Sequence, residues 1–276
     1  MRALGGSTKF KEQQMGDSET GQISEDAAKI YEDVYLPALF LDWCPLAIQA
    51  ASVKSGDSVV DVACGTGALA IAVSEHVGPE GKTIGVDINE GMLNIARSKS
   101  SSVKWLNAPA EELPFTDDYF NSVVSQFGIM YFENQEVAIR EMMRVLQPNG
   151  TIVVTVWDKL DNNPGLAAEE YLWQQVFGGE VEEAPYRLGD KEVLEKLFKA
   201  SGISDIQIAT YEGAARFDSI ESWIHTGAKG WTEDDALTDD ELKLLLDTAE
   251  KELTEFRTIQ DTVTFPTSAH IVTAKK

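Results

Sequence analysis

A glycine-rich turn is the part of this sequence whose residue types and spacing could bind a ligand. The turn lies in VVDVACGTGALA, residues 59–70, between a β-branched segment and a predicted helix, 66–76. Because Gly65 and Gly67 carry no Cβ, their backbone can approach a ligand closely and can adopt conformations closed to other residues. A turn that follows a strand and opens a helix has the context of a nucleotide-binding site, although a short GxG pattern also matches ordinary tight turns.

An acidic residue, Asp87, ends the next predicted strand, 22 residues after Gly65. A carboxylate at the carboxyl end of a strand beside a glycine-rich turn can accept hydrogen bonds from both hydroxyls of a ribose. Asp87 could also stabilise the start of the helix that we predict after Asn89, and the two roles are compatible. The spacing therefore predicts a nucleoside-binding site at this edge of the sheet.

A second acid, Asp61, distinguishes between the nucleosides that such a site could hold. It lies four residues before Gly65, where its carboxylate would repel the pyrophosphate of a dinucleotide but attract an ammonium group, directly or through water. A nucleoside that carries an amino acid is therefore favoured. A NAD-dependent oxidoreductase remains the alternative, since the dinucleotide fingerprint tolerates Ala70 at its third glycine position. No Tyr-x-x-x-Lys pair supports that alternative.

Strands and helices alternate regularly around these residues. Five β-branched or apolar segments are predicted as strands, at 58–62, 83–87, 103–107, 120–126 and 151–157. Their alternation with helices predicts a mostly parallel sheet covered on both faces. Two further strands are predicted at 203–211 and 269–274. Predicted helices include an N-terminal one that Pro37 bends and a late one that opens with the capping box Thr238-x-x-Glu241.

These elements predict one α/β domain with helical material inserted late. Residues 1–22 are polar, without an apolar run, and are expected to form a flexible lead-in to a single domain, 23–276. Within that domain we expect a helical cap, a cofactor-binding core and two substrate-side insertions, at 23–52, 53–157, 158–189 and 212–266 respectively.

Composition excludes several classes of function. The 276 residues are 43% hydrophobic, enough for a large buried core, and 46 acidic residues against 23 basic ones give a net charge of -23. A surface that negative repels phosphate backbones and anionic lipid, which argues against nucleic-acid and membrane partners. Two cysteines cannot form a disulfide framework, and no apolar run approaches the ~20 residues of a membrane span, so we expect a cytoplasmic protein. No ligand-spaced cluster of His, Cys and acidic residues predicts a metal.

The segment 59–70 closely resembles motif I of class I S-adenosylmethionine-dependent methyltransferases, in particular the small-molecule branch that includes quinone-biosynthesis methyltransferases. Further resemblances to that family follow in the expected order, at 86–92, 107–115, 120–127 and 146–151. The resemblance implies a Rossmann-like seven-stranded sheet of order 3-2-1-4-5-7-6, with the last strand antiparallel, helices on both faces and helical insertions after strands 5 and 6.

The same resemblance implies S-adenosylmethionine as cofactor. It further implies in-line transfer of the methyl group to an oxygen, nitrogen or carbon atom of a small-molecule acceptor. The matching positions that would contact the cofactor are Asp61, Ala63, Gly65, Thr66, Gly67, Asp87, Ile88, Met92, Ala110, Glu111, Gln126 and Phe127. A non-catalytic nucleoside-binding protein of the same ancestry is a further alternative.

Side chains that could meet the acceptor are aromatic or basic. A general base is needed only if the attacking atom must lose a proton, and His225 is the best candidate because neutral imidazole works near physiological pH. Tyr31 is the second catalytic candidate, on an N-terminal helix that folds over the cofactor in related enzymes. Aromatic faces can bind cationic or apolar acceptors, and the candidates are Tyr35, Tyr131, Trp157, Trp173 and Trp223. Each of these could instead pack the inserted helices together.

Overall fold

Seven strands form one sheet at the centre of the molecule. The computed structural model describes residues 24–178, 184–230 and 237–276. In chain order the strands are β1 (Ser58–Val62), β2 (Lys82–Asp87), β3 (Lys104–Asn107), β4 (Phe120–Gln126), β5 (Leu146–Trp157), β6 (Ile206–Phe217) and β7 (Val263–Lys275). Their order in the sheet is β3-β2-β1-β4-β5-β7-β6. The strands β1 to β5 pair in parallel, whereas β7 is antiparallel to both of its neighbours. The predicted fold class and strand order are confirmed.

Amphipathic helices connect the strands. In the described residues the α-helices are α1 (Glu25–Ile30), α2 (Cys44–Ala51), α3 (Ala68–Val77), α4 (Glu90–Lys99), α5 (Gln135–Val145), α6 (Pro164–Phe177), α7 (Lys191–Ala200), α8 (Ile220–Gly230) and α9 (Asp239–Glu252). Helix α5 illustrates the local cause. The Asn134 side chain accepts a hydrogen bond from the Val137 N–H and so caps its start. One face carries residues at helical spacing that are all buried, namely Ala138, Ile139, Met142 and Val145.

The capping box predicted for α9 is present. The Thr238 hydroxyl accepts a hydrogen bond from the Glu241 N–H at 3.3 Å, and the Thr238 N–H donates to Glu241 Oε2 at 2.9 Å. Two backbone donors that a helix start leaves unpaired are thereby satisfied.

The last two strands are longer than predicted. The strand β6 pairs over its whole length with Val263–Ala274 of β7, so the connection between the two strands is residues 218–262. This ladder contains Gly213 and Pro266, two residue types that disfavour strand interiors. The pairing of β7 with β5 ends at Ala269, so Pro266 has only one neighbouring strand. A proline in such a position removes little from the sheet, and β7 therefore extends beyond the predicted segment 269–274.

The N-terminal segment is one helical run of changing pitch. After α1, Tyr31–Phe40 is a π-helix, and a 3₁₀ turn at Leu41–Trp43 leads into α2. The Leu41 N–H bonds to the carbonyl of Leu36, five residues back. We expected Pro37 to bend an α-helix here. A proline ring clashes with the carbonyl four residues back, and the wider π-helical turn contains Pro37 instead.

The complete run, Glu25–Ala51, is long and apolar enough to cross a membrane, whereas no segment of that kind is predicted from the sequence. Among the described residues it is the one helix of sufficient length and apolar composition. Half of its apolar window is buried in the fold, and the core helix of a globular protein meets the same criterion. Side chains from its middle and its carboxyl-terminal part belong to the hydrophobic core, including Tyr35, Trp43 and Ala47.

The packing of Trp105, on β3, explains why position 67 of the glycine-rich turn is a glycine. A Cβ at Gly67 would lie 2.4 Å from the Cη2 atom of Trp105, and the backbone there is left-handed, with φ = 87°. A Cβ at Gly65, where φ is 55°, would meet no atom within 4 Å. The absent side chain of Gly67 therefore makes room for the indole. Only Gly65 leaves open space beside the turn.

We expect Gly67→Ala to destabilise the protein more than Gly65→Ala. The indole is held by a hydrogen bond from Trp105 Nε1 to the carbonyl of Ser100 at 3.0 Å. Overpacking against it, added to the strain of a left-handed alanine, costs about 2–4 kcal/mol, whereas strain alone at position 65 costs about 1–2 kcal/mol. Urea unfolding of the two variants measures this difference, and equal losses would contradict the packing argument. Adding Trp105→Leu to Gly67→Ala should recover part of the stability.

Candidate functional site

A cavity opens where the glycine-rich turn, the start of α4, the turn after β4 and the N-terminal π-helix meet. Nine of the twelve residues predicted to contact a cofactor line it. The full lining is Tyr31, Leu36, Asp61, Ala63, Cys64, Gly65, Thr66, Ala68, Leu69, Asp87, Ile88, Met92, Gln126, Phe127, Gly128, Tyr131 and Phe132. The carboxyl ends of neighbouring parallel strands, β1, β2 and β4, therefore supply most of the wall, as expected for an open α/β sheet.

The Asp87 carboxylate joins the glycine-rich turn to the second strand. Its Oδ2 atom accepts a hydrogen bond from the Gly65 N–H at 2.7 Å, and its Oδ1 atom accepts one from the Asn89 N–H at 2.8 Å. Burial raises the pKa of this carboxyl, and the two backbone donors lower it in part. Each carboxylate oxygen has a second lone pair, so Asp87 can support the helix start and still accept hydrogen bonds from a ligand.

Two non-glycine residues beside the cavity have left-handed backbone conformations. These are Ala63, with φ = 58°, and Phe127, with φ = 54°. Such conformations cost about 1–2 kcal/mol and are concentrated at functional sites. The Phe127 N–H donates to the carbonyl of Thr155 at 2.9 Å, which fixes the turn after β4. A Cβ at Gly128 would lie 2.5 Å from that of Ala63, so the turns after β1 and β4 pack directly against each other.

The Asp61 carboxyl group is buried at the cavity wall, with a relative exposure of 1%. Neither oxygen has a hydrogen-bond partner among the described residues. Burial raises the pKa of Asp61 well above its usual value, and the charge of Asp87 raises it further. The backbone amide of Ala70 lowers the pKa in part, without meeting hydrogen-bond geometry. A buried carboxyl without a donor is costly, which makes Asp61 a strong candidate for a cationic or donating ligand group.

Two further buried oxygens at the cavity, Thr66 Oγ1 and Gln126 Oε1, also have no partner within the described ranges. The Gln126 side chain is held by a hydrogen bond from Nε2 to the carbonyl of Phe40 at 3.2 Å. Together with the two aspartates, these atoms form a wall rich in hydrogen-bond acceptors. S-adenosylmethionine carries an ammonium group, ribose hydroxyls and a cationic sulfur, so the residues present fit this cofactor.

The N-terminal π-helix contributes Tyr31 and Leu36 to the cavity. The Tyr31 ring stacks on Phe40, with centroids 5.4 Å apart, and an ion pair of 2.5 Å between Glu32 and Lys99 joins the same segment to α4. Burial, followed by the neighbouring acidic groups, raises the pKa of Tyr31. Its hydroxyl therefore stays protonated near neutral pH, where it can donate a hydrogen bond but is poorly suited to removing a proton.

The aromatic candidates for acceptor binding divide between the cavity and the core. Of these, Tyr131 lines the cavity. The Trp157 ring is 5% exposed and stacks on the cavity-lining ring of Phe127, with centroids 4.2 Å apart. The other three candidates do not line the cavity: Tyr35 and Trp223 are buried, and Trp173 is half-buried.

Four other predicted residues also lie outside the cavity lining. The His225 side chain is exposed on α8. The Glu111 carboxylate accepts a hydrogen bond from the Asn134 N–H at 3.0 Å and so supports the start of α5. The Ala110 side chain is buried in the core, and Gly67 faces the indole described above. The ligand roles of these four residues stay predictions.

Sequence reasoning missed five residues that line the cavity: Leu36, Cys64, Ala68, Leu69 and Gly128. Most of them directly neighbour predicted residues and could have been included by extending each motif. Leu36 directly follows Tyr35, but its place in the cavity beside Tyr31, five residues earlier, has no signal in the sequence. An α-helical period of three or four residues does not place that pair on one face, whereas the π-helical turn does.

Comparison with known proteins identifies the family. The model of the ubiE/COQ5 methyltransferase family matches residues 32–216, more than half of the chain. A ubiquinone/menaquinone biosynthesis C-methyltransferase UbiE from Pseudomonas entomophila is 36% identical over 139 residues, 48% of this chain and 54% of that protein. The match therefore spans about half the length of that relative. A demethylmenaquinone methyltransferase from Staphylococcus aureus is 29% identical over 197 residues, 62% of this chain and 78% of that protein.

Solved structures share the fold. The YcgJ protein of Bacillus subtilis aligns with a TM-score of 0.58 at 22% identity, covering 85% of this chain and 98% of that one. A methyltransferase assigned to an antibiotic biosynthesis pathway of Anabaena variabilis aligns with a TM-score of 0.60 at 15% identity, covering 85% of this chain and 97% of that one. These structures show the fold alone. The family match over residues 32–216, together with the two relatives above, shows that the chain belongs to the ubiE/COQ5 methyltransferase family and is an S-adenosylmethionine-dependent methyltransferase.

Proposed function

We propose that this enzyme methylates a hydroxylated aromatic ring of the quinol type. The observation that carries the proposal is the pairing, in one cavity, of an acceptor-rich wall with four aromatic side chains, Tyr31, Phe127, Tyr131 and Phe132. Flat aromatic faces favour a planar acceptor over an aliphatic one. The curated relatives are named for quinone substrates, which supports the same class of acceptor.

The polar side of the cavity would hold the cofactor. In this proposal Asp61 receives the ammonium group, Asp87 the ribose hydroxyls, and Thr66 and Gln126 supply further acceptor oxygens. When bound, S-adenosylmethionine supplies a methyl group made electrophilic by a positively charged sulfur. The chain's own contribution is to hold the attacking atom in line with that methyl group, which lowers the barrier by removing orientational freedom.

The aromatic side of the cavity would hold the acceptor and exclude water. The Tyr31 hydroxyl, protonated near neutral pH, would be able to donate a hydrogen bond to the acceptor, and the faces of Phe127 and Tyr131 would stabilise nearby positive charge. A carbon nucleophile on an electron-rich ring attacks before it loses its proton. Such an acceptor therefore requires orientation more than it requires a strong base.

The expected partners and location follow from charge and cysteine chemistry. With a net charge of -23, the protein is expected to bind a neutral or cationic small molecule and neither nucleic acid nor an anionic membrane surface. Both cysteines, Cys44 and Cys64, are free and buried, which supports the expectation of a reducing, cytoplasmic compartment.

The test uses S-adenosylmethionine labelled in its methyl group, with 1,4-naphthohydroquinone as acceptor under anaerobic reducing conditions. We expect label in the naphthalene product. The matched control, 1,4-dimethoxynaphthalene, has no free hydroxyl and should stay unlabelled, and phenethylamine represents amine acceptors. Labelling of the amine alone would overturn the proposed acceptor class. Titration with NADH should show no binding, in contrast to S-adenosylhomocysteine.

A further inference from the structure

A glutamine at the cavity wall joins β4 to the N-terminal helical run, Glu25–Ala51. Gln126 is the last residue of β4, and it is part of the cavity lining. Its Nε2 atom donates a hydrogen bond to the carbonyl of Phe40 at 3.2 Å and a weaker one to the Sγ atom of Cys44 at 3.7 Å. Both partners belong to the helical run. One side chain of the cavity wall is therefore bonded directly to the segment that lies beside it.

The donors of the Gln126 amide are used, and its oxygen is not. An amide NH2 group has two hydrogens, and here each has an acceptor, the Phe40 carbonyl and the Cys44 sulfur. The reverse orientation of the amide would place Oε1 against the Phe40 carbonyl, where two acceptors would repel each other. The Oε1 atom is buried and has no partner among the residues that the structure describes. The amide therefore has one hydrogen bond left to make, and a donor on a ligand in the cavity could supply it.

The Phe40 carbonyl lies where the helical run changes pitch. Phe40 ends the π-helix, and a carbonyl in such a helix bonds to the N–H group five residues later. That residue is Pro45, which has no N–H, and the N–H of Cys44 bonds to Leu41. Gln126 thus holds the run from outside, at the junction between its π-helical and 3₁₀ parts.

The Phe40 ring extends this attachment to the aromatic side of the cavity. Its centroid lies 5.4 Å from that of Tyr31 and 5.3 Å from that of Phe127, and both of these residues line the cavity. The Phe40 side chain is itself buried. Among the described residues the helical run contributes Tyr31 and Leu36 to the cavity. The bond from Gln126 to Phe40 therefore affects where these two side chains lie.

We propose that Gln126 is a positioning residue that couples the cofactor to the aromatic side of the cavity: its Oε1 atom accepts a hydrogen bond from the bound cofactor while its Nε2 atom holds the Phe40 carbonyl. In the ligand-free protein the amide holds Phe40 only at the cost of a buried oxygen without a donor. A donor on the cofactor removes that cost and polarises the amide, which strengthens the bond to Phe40. By reciprocity, a helical run that is held in place favours the cofactor to the same extent.

Hydrogen exchange of the backbone amides in Leu41–Cys44 tests the coupling, with S-adenosylhomocysteine as the probe. Exchange reports local opening of a folded chain, so saturation with the probe should slow it about tenfold in the wild type, the scale of a coupling free energy between two sites. The variant Gln126→Met is of similar length but has neither an N–H donor nor an oxygen. At saturation with the probe, its exchange should differ little from that of the ligand-free variant. Gln126→Asn shortens the reach of the amide, should behave in the same way, and serves if the methionine variant fails to fold.

The matched control is Gln147 on β5, outside the cavity lining, whose Nε2 atom donates to the carbonyl of Tyr119 at 3.0 Å. Gln147→Met removes a comparable bond and should keep the wild-type slowing. A purely structural role for Gln126 would speed exchange with and without the probe and leave the slowing factor unchanged, which would overturn the inference. So would loss of the slowing in Gln147→Met, or a wild type whose exchange does not respond to the probe.

Binding of the same probe tests the contact itself. Gln126→Met should bind S-adenosylhomocysteine about tenfold more weakly than the wild type, because a hydrogen bond to the cofactor is lost. Unchanged affinity would show that no such bond exists and would also overturn the inference.

The inference rests on the proposed function in taking Gln126 to contact the cofactor, but it does not depend on which acceptor is methylated. The two can therefore fail separately. If the coupling is found and 1,4-naphthohydroquinone stays unlabelled, the coupling stands and the proposed acceptor fails. If the hydroquinone is methylated and exchange at Leu41–Cys44 does not respond to S-adenosylhomocysteine, the proposed acceptor stands and the coupling fails.

Discussion

Replacing Asp61 by Asn is expected to stabilise the ligand-free protein at pH 7 and to weaken its complex with S-adenosylhomocysteine. The carboxyl is 1% exposed, and burial together with the charge of Asp87 raises its pKa above the ordinary value of 3.8. Below pH ~4 the group is protonated in both folded and unfolded chains and carries no charge penalty. As the pH rises past that value, the unfolded chain releases its proton first, so stability falls with rising pH.

Asparagine removes this pH-dependent loss, because an amide of similar shape carries no charge. At pH 7 we expect the melting temperature of the ligand-free variant to rise by about 3–6 °C, corresponding to about 1–3 kcal/mol for an unsatisfied buried group. The gain should fade as the pH approaches 4. Scanning calorimetry at several pH values measures it, and a melting temperature below that of the wild type at pH 7 would contradict the burial argument.

The same substitution should weaken binding of S-adenosylhomocysteine by about tenfold to a hundredfold, since an ion pair to the ammonium group is lost. The matched ligand is 5′-methylthioadenosine, which has the nucleoside but no ammonium group. Its affinity should be equal for wild type and variant. If both ligands lose affinity equally, Asp61 acts on the shape of the turn and not on the ammonium group. Stability and binding are thus expected to change in opposite directions at one residue.

An element of this fold can be predicted from the sequence when the residues that stabilise it are close together in the chain. The first five strands are β-branched runs next to glycine or polar turns, and their buried face needs no knowledge of distant residues. The extension of β6 to Phe217 depends on pairing with β7, which is more than 45 residues away in the sequence. This pairing holds both strands extended although β6 contains Gly213 and β7 contains Pro266. The π-helical turn at Pro37 likewise has no local sequence signal that distinguishes it from a kink.

The candidate site divides in the same way. The carboxylate of Asp87 follows from its place at the end of a strand, and its bond to Gly65 confirms that the two residues meet. The reason for Gly67 could not be predicted, because the indole that requires it comes from Trp105 on another strand. The hydrogen bond from Trp223 Nε1–H to Glu169 joins two inserted helices whose relative placement the periodicity does not determine. Contacts between strand ends at one edge of the sheet are predictable from the order of the elements, whereas side-chain packing between more distant elements is not.

Replacing Asp87 by Ala is expected to weaken binding of S-adenosylhomocysteine about a hundredfold, or about 2.7 kcal/mol. The carboxylate both offers lone pairs to a ribose and holds the Gly65 N–H, so its removal affects the ligand contact and the shape of the turn. Fold stability should change less, because the buried carboxylate already carries a desolvation cost that its loss relieves. Titration calorimetry gives the affinity, and thermal unfolding gives the stability.

A matched control separates these effects. Asp57 accepts a hydrogen bond from the Lys54 N–H at 2.8 Å in the turn before β1, at the other end of that strand. Asp57→Ala should remove this hydrogen bond, as Asp87→Ala removes the one from the Gly65 N–H, but it should not change the affinity for the ligand. A 2′-deoxy analogue of S-adenosylhomocysteine should bind the wild type more weakly than the parent ligand, and Asp87→Ala should bind both alike. A well-folded Asp87→Ala variant of unchanged affinity would refute the ribose contact, whereas an undiminished preference for the 2′-hydroxyl would assign that contact to another residue.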